Sequence, residues 1–114
     1  RSFKDGKLYP ALKPNTIADG LLTSLSELTF SIIRENVDEI ITASERYIIL
    51  AMRMIWERMK VLIEPSSALP LAILLQHGDL FKKKKIGIIL SGGNVDMDKI
   101  NYLLSIADIT ARTG

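Results

Sequence analysis

Cysteine is absent from this chain and histidine occurs once. The first absence excludes disulfides and thiolate metal sites, and the second leaves any metal mainly to oxygen ligands. Excess charge of one sign is also missing. Fifteen basic and thirteen acidic residues leave +2, too little to point to nucleic acid or an anionic membrane surface as partner. Aromatic residues make up only 6%, and none interleaves the four lysines at 82–85. That run reads as a solvated loop rather than a nucleic-acid site. Long hydrophobic runs are lacking too. The longest uncharged stretch, residues 65–78, is shorter than the roughly 20 residues a membrane-crossing helix needs. No secretory leader is visible and no Ser/His/Asp or Cys/His set can be assembled. The expectation is a soluble, cytoplasmic protein with no nucleic-acid or membrane partner.

What is present suits one small globular domain: 114 residues, 47% hydrophobic and 25% charged. The chain opens on Arg1 rather than Met, so a piece of a longer protein is expected. Residues 2–15 carry Gly6, Pro10 and Pro14 among lysines and read as a loop. Thr16-Ile17-Ala18-Asp19-Gly20 comes next, ending in a glycine able to take positive φ. The spacing of Leu28, Ser31, Ile32 and Glu35 predicts a helix over residues 27–36, and residues 37–41 suit a short strand. Thr42-Ala43-Ser44-Glu45 fits a capping box opening a helix to about residue 62. Its apolar stripe is Ile48, Ala51 or Met52, Ile55, Met59 and Leu62. Trp56 is a core or interface anchor. Pro65 suits a helix first turn, and residues 68–77, almost wholly apolar, predict a buried helix whose start Pro70 shifts. His77 lies at its end, and Gly78 is its C-cap, with a loop over residues 79–85.

Residues 86–90, Ile-Gly-Ile-Ile-Leu, read as a strand buried on both faces of a parallel sheet. The run stops at Ser91-Gly92-Gly93-Asn94, and a helix is expected over residues 97–106, with a frayed tail at 109–114. Strands alternating with helices argue for an α/β fold with a mostly parallel sheet flanked by helices. Two strands are too few for a sheet, which again suggests a missing partner segment. Ligands of such sheets bind beyond the strand carboxyl ends, where Ser91 would stand. Either Ser91 caps nearby backbone in a tight turn, or its hydroxyl bonds a ring nitrogen or phosphate while the glycines clear space. The tetrapeptide is neither a P-loop nor a dinucleotide fingerprint. Glu64, between two apolar helices, either caps the second of them or faces a cofactor and bonds an amide such as Asn94. Asp19 is an Asx-turn residue or an active-site carboxylate.

Taken in order, the Thr16–Gly20 pentapeptide, Glu64-Pro65-Ser66-Ser67 and residues 86–96 resemble the serine racemase and serine/threonine dehydratase family. These are pyridoxal-phosphate enzymes of the tryptophan-synthase-β fold type, also called fold type II. Phe30-Ser31-Ile32-Ile33 with Val37-Asp38-Glu39-Ile40, and Glu57-Arg58-Met59-Lys60, resemble it as well, and more the eukaryotic serine racemases than the long biosynthetic threonine deaminases. The resemblance implies that residues 1–114 are the carboxyl-terminal segment of the large cofactor-binding domain. It implies that Ser91 hydrogen-bonds the cofactor's pyridine nitrogen, that Gly92 leaves the ring edge uncrowded, and that Glu64 lies near the ring and bonds Asn94. It assigns Gly20 a backbone contact at the site and Thr23 the substrate carboxylate. Lys60, Asn94 and Asp96 match a region near a nucleotide effector site at a dimer interface, which implies ATP as effector and a homodimer. Magnesium or another divalent cation is implied too.

Ser67 and Pro70 depart from the family pattern, Ser67 standing where plant-like members have glycine and Pro70 where many members have another. The lysine that carries the cofactor, the substrate loop, the glycine-rich phosphate cradle and the metal carboxylates would all precede Arg1. No catalytic residue or metal ligand is therefore expected in this segment, which alone should be inactive. The full-length protein is expected to act on L-serine by racemisation, by β-elimination, or both, with L-threonine dehydration as the near alternative. A non-catalytic anion-binding or interaction module is the reading of a different class.

Overall fold

Ser26 shows how local sequence sets an element boundary. It is extended, and its Oγ accepts the Thr29 N–H at 3.2 Å, so the helix begins at the next residue. In this computed structural model, which describes residues 1–112 and their side chains through residue 106, that helix has the bounds its spacing predicts. It is preceded by one helical turn, α1 (Ser2–Asp5), where a loop was expected. Gly6 ends that turn at φ 66°, a left-handed conformation that glycine takes without a Cβ clash. The helix after Ser26 is α2 (Glu27–Asn36), and α1 packs on it. A short 3₁₀ turn, Asp19–Leu21, lies between the two.

α3 (Glu45–Met54) and α4 (Pro65–Gln76) form the centre. Ser44 N–H donates to Gln76 Oε1 at 2.8 Å, and at the other end Trp56 Nε1–H donates to the Ile63 carbonyl at 2.9 Å. The two helices are thus antiparallel and tied at both ends. α5 (Ile100–Arg112) rests on α3. The core consists of Ile48, Ala51, Met52 and Ile55 from α3 and the turn after it, Ile63, Ala68 and Ala72 from the α4 side, and Leu103 from α5.

Several boundaries differ from those the sequence suggests. The residue preceding α3 is Ser44, not Thr42, and Ser44 makes no side-chain cap. Glu45 is therefore the first helical residue and cannot close a capping box; its Oε2 accepts the Ile17 N–H at 2.9 Å instead. The expected stripe is buried only as far as Ile55. A π-helical turn, Ile55–Met59, carries Met59 out of the stripe's phase, leaving it 57% exposed, while Leu62, 47% exposed, lies beyond the helix end. Lys60 then ends the helix at φ 59°. α4 begins at Pro65 and carries Pro70 on an exposed face. Its residues 69 and 71–75, apart from Ala72, are only partly buried. The residue after α4 is His77, whose Nε2 lies 3.2 Å from the Thr42 carbonyl, and Gly78 opens a 3₁₀ turn, Gly78–Phe81, without positive φ. Helix α5 is preceded by a 3₁₀ turn, Met97–Lys99, and runs on to Arg112 where a frayed tail was expected. Residues 113 and 114 lie outside the described part.

The expected parallel sheet is not present: among the described residues none forms a strand. Residues 86–90 have no ladder, and Ile86, Ile88 and Ile89 are 46%, 37% and 81% exposed. Residues 37–41 are likewise unpaired. A parallel strand exists only through its neighbours, and this chain brings none alongside. The radius of gyration, 15.3 Å, exceeds the roughly 13 Å of a compact domain of this length. The helical centre is closed, while the apolar run at 86–90 is not covered. Met52, with no exposed surface, is the test of that centre. Met52→Ala should lower the unfolding free energy by about 2–5 kcal/mol, read as a fall in thermal midpoint, whereas Leu12→Ala, at an 83% exposed position, should leave it unchanged.

Candidate functional site

Glu64 sits between two buried residues, Ile63 and Pro65, in extended conformation just before α4. Its side chain makes no cap for that helix. Instead Oε1 accepts the Ser66 hydroxyl at 2.6 Å and Oε2 accepts the Asn94 N–H at 3.1 Å. Its own backbone N–H donates to the Gly92 carbonyl at 3.0 Å. One residue thus grips the 91–94 loop through backbone and side chain together. Bonds to a charged acceptor are the stronger kind, about 1.5–3 kcal/mol each. The expected contact between Glu64 and Asn94 is present, through the main chain of Asn94 rather than its carboxamide.

A second grip comes from Ser67, which is 1% exposed. Its Oγ accepts the Ser91 N–H at 2.9 Å and the Gly92 N–H at 3.5 Å. The glycines here serve closeness rather than left-handed turns, because among the described glycines only Gly6 has positive φ. A Cβ on Gly92 would stand 3.1 Å from the carboxyl carbon and both oxygens of Glu64. On Gly93 it would stand 2.7 Å from the Leu62 carbonyl oxygen, a backbone atom that cannot swing aside. Gly20 joins from the third side: a Cβ there would lie 2.9 Å from Ser66 Oγ and 3.6 Å from Glu64 Oε1. The Glu45 carboxylate, bound to Ile17 N–H, anchors the stretch that delivers it.

Gly20, Glu64, Ser91, Gly92 and Asn94 therefore converge from three separate parts of the chain. Ser91 is exposed, and its hydroxyl has no hydrogen-bond partner among the described residues. It does not cap nearby backbone; the loop is held by other atoms and the hydroxyl is left available. Thr23 is not drawn in by any described bond: it is exposed, with its hydroxyl donating to the Ser24 carbonyl at 3.4 Å. Asp96 accepts the Asp98 N–H at 3.0 Å, and pairs with Lys99 at 3.7 Å. With Asn94, Thr16, Asp19 and Pro65 it lines a cleft of about 290 Å³. Lys60 does not line that cleft, and its Nζ donates to the Glu57 carbonyl at 2.6 Å. Among the described residues no group of His, Asp and Glu could hold a metal. No helix among them is long and apolar enough to cross a membrane. Ser66 and Ser67 were not singled out from sequence as site residues. The available signal was two hydroxyls in the first turn of an otherwise apolar helix.

Residues 1–92 match the family model described as pyridoxal-phosphate dependent enzyme. The chain belongs to that family. It is 56% identical over 109 residues to a serine racemase of Dictyostelium discoideum, covering 92% of this chain and 34% of that protein. It is 46% identical over 102 residues to a beta-hydroxyaspartate dehydratase of Paracoccus denitrificans, covering 90% of this chain and 32% of that protein. Among solved structures, a T.th. threonine deaminase superposes with a TM-score of 0.79 at 43% identity, over 85% of this chain and 36% of that one. The chain spans about a third of the length of these relatives. The residues fit the family's cofactor at one point: the exposed Ser91 hydroxyl can bond a heteroaromatic nitrogen, whereas the space a Gly92 side chain would take is filled by Glu64.

Because the carboxylate facing Gly92 can move and the carbonyl facing Gly93 cannot, alanine should be tolerated unequally. Gly93→Ala should destabilise by about 1–3 kcal/mol, and Gly92→Ala by less, in matched denaturant unfolding.

Proposed function

We propose that the full-length protein is a pyridoxal-phosphate-dependent enzyme acting on a β-hydroxy amino acid, L-serine first, by racemisation, by β-elimination of water followed by hydrolysis to a 2-oxo acid and ammonia, or both. The observation that carries this is the exposed, unpartnered Ser91 hydroxyl on a loop held from behind by Glu64 and Ser67. Membership of the pyridoxal-phosphate family and relatives named serine racemase, beta-hydroxyaspartate dehydratase and threonine deaminase support it. L-threonine and 3-hydroxyaspartate are accordingly the other substrates to weigh.

Bound pyridoxal phosphate supplies the electron withdrawal that loosens bonds at the amino acid's α-carbon. Ser91 donates its hydroxyl to the ring nitrogen. A neutral hydroxyl, unlike a carboxylate partner, does not hold that nitrogen protonated, which moderates the withdrawal and suits elimination of a β-hydroxyl. Glu64 stays with Ser66 and Asn94 and so keeps Ser91 and Gly92 in place. Gly20 offers backbone beside Glu64, and Thr23 offers a hydroxyl for the substrate carboxylate.

The chain is then the carboxyl-terminal segment of the large cofactor-binding domain, inactive by itself. Residues 86–90 enter a parallel sheet with strands from the rest of the protein, which covers their exposed isoleucines. A divalent cation would be held outside the described residues. The effector reading keeps Asn94 and Asp96, which share the 290 Å³ cleft, with Lys60 set apart from it. A homodimer in the cytoplasm completes the proposal.

Full-length protein loaded with pyridoxal phosphate should release a 2-oxo acid or form D-serine when given L-serine. Ser91→Ala should lower that turnover roughly tenfold or more, the scale of one lost hydrogen bond at the reacting system. Absence of turnover on L-serine, L-threonine and 3-hydroxyaspartate alike would sink the proposal.

A further inference from the structure

The proposed function gives Ser91 a partner but leaves unexplained what aims its hydroxyl. Glu64 binds the 91–94 loop on the far side of Ser91, at the Gly92 carbonyl and the Asn94 N–H. Neither bond touches Ser91 itself. Toward the chain's start the loop continues into residues 86–90, which have no ladder to hold them. The described bond to the Ser91 main chain comes from Ser67, 2.9 Å from Ser91 N–H and 3.5 Å from Gly92 N–H.

Ser67 is built for this and for no solvent contact. It is 1% exposed in the first turn of α4, flanked by buried Ala68, and α4 is fastened to the core through Ala68 and Ala72. Its Cβ is thus fixed by the helix, and burial together with the accepted N–H groups holds the hydroxyl in one rotamer. A hydroxyl buried to this degree is retained only if hydrogen-bonded, and the loop N–H groups are what it accepts. Two N–H groups converge on one oxygen, that of Ser91 from the peptide before its Cα and that of Gly92 from the peptide after it, so the peptide planes on both sides of Ser91 are held. Those planes in turn set the direction in which the Ser91 Cα–Cβ bond leaves the loop.

We infer that Ser67 is a positioning residue that orients the Ser91 hydroxyl toward the cofactor's ring nitrogen. The inference rests on the proposed role of Ser91. Removing the Ser67 oxygen leaves two N–H groups short of an acceptor and lets the peptide rotate, while Glu64 still holds the remainder of the loop. The consequence is a misdirected hydroxyl rather than an unfolded site.

The test is a double-variant cycle in the full-length protein, reading the dissociation constant of pyridoxal phosphate and the absorption maximum of the bound form. Ser67→Ala is expected to weaken binding roughly tenfold and to move the absorption maximum in the same direction as Ser91→Ala. In the Ser91→Ala background, the same change at Ser67 should alter the dissociation constant by less than about twofold, because the group it aims is already gone. Amide hydrogen exchange at Ser91 in the cofactor-free protein should quicken in Ser67→Ala. Should the alanine variant fail to fold, Ser67→Cys keeps the shape with a poor acceptor and should give the same loss; wild-type affinity in it overturns the inference. Ser91→Ala without effect on affinity or spectrum overturns the reading of the site, whatever Ser67 does. A Ser91→Ala effect combined with an undiminished Ser67→Ala effect in the double variant overturns the positioning role alone.

Discussion

Glu64 grips the loop at 92–94 with its backbone N–H and its carboxylate at once, and the site depends on that grip. A half-buried carboxylate loses part of its hydration, and hydrogen bonds to its oxygens offset that loss. Here Ser66 satisfies one oxygen and the Asn94 N–H the other. The requirement propagates outward. The loop must come close enough for backbone bonding, so Gly92 and Gly93 carry no side chain. Ser66 must reach Oε1, so the chain passing behind it at Gly20 is bare as well. One carboxylate thereby determines the composition of three loops that are far apart in sequence.

The stiffness of this arrangement comes from the helices behind it. α3 and α4 close a core around Ile48, Ala51, Met52, Ala68 and Ala72, and the site is built at the first turn of α4. The hydroxyls of Ser66 and Ser67 inherit the rigidity of that helix start. Away from this centre the chain is less self-sufficient. The isoleucines of 86–90 face outward and the apolar face of α4 is only partly covered, so the described residues bury only part of what their sequence prepares for burial.

Local signals were legible where they act locally. The spacing of Leu28, Ser31, Ile32 and Glu35 marks α2, Pro65 opens α4, and the spacing of Ile48, Ala51, Met52 and Ile55 marks the core face of α3. The signals that misled were those needing a partner. Thr42 and Glu45 have the spacing of a capping box, yet Glu45 has a stronger use on Ile17, 28 residues away. The stripe beyond Ile55 loses its phase to a π turn that no periodicity in the sequence announces. The apolar run at 86–90 has strand composition, but a strand is a relation between segments.

The order of the Ala-Asp-Gly, Glu-Pro-Ser-Ser and Ser-Gly-Gly-Asn segments was by itself sufficient to name the family and to collect Gly20, Glu64, Ser91, Gly92 and Asn94 as one set, because each motif is a contiguous string. Their roles within the set were decided by tertiary structure. That Glu64 binds the Asn94 backbone and caps nothing, that Gly92 is bare for the sake of a carboxylate, and that Ser67 holds Ser91 are facts of three-dimensional approach. Hydrogen bonds between residues 24 and 30 positions apart leave no periodicity to read. They exist only once the helices have brought the loops together.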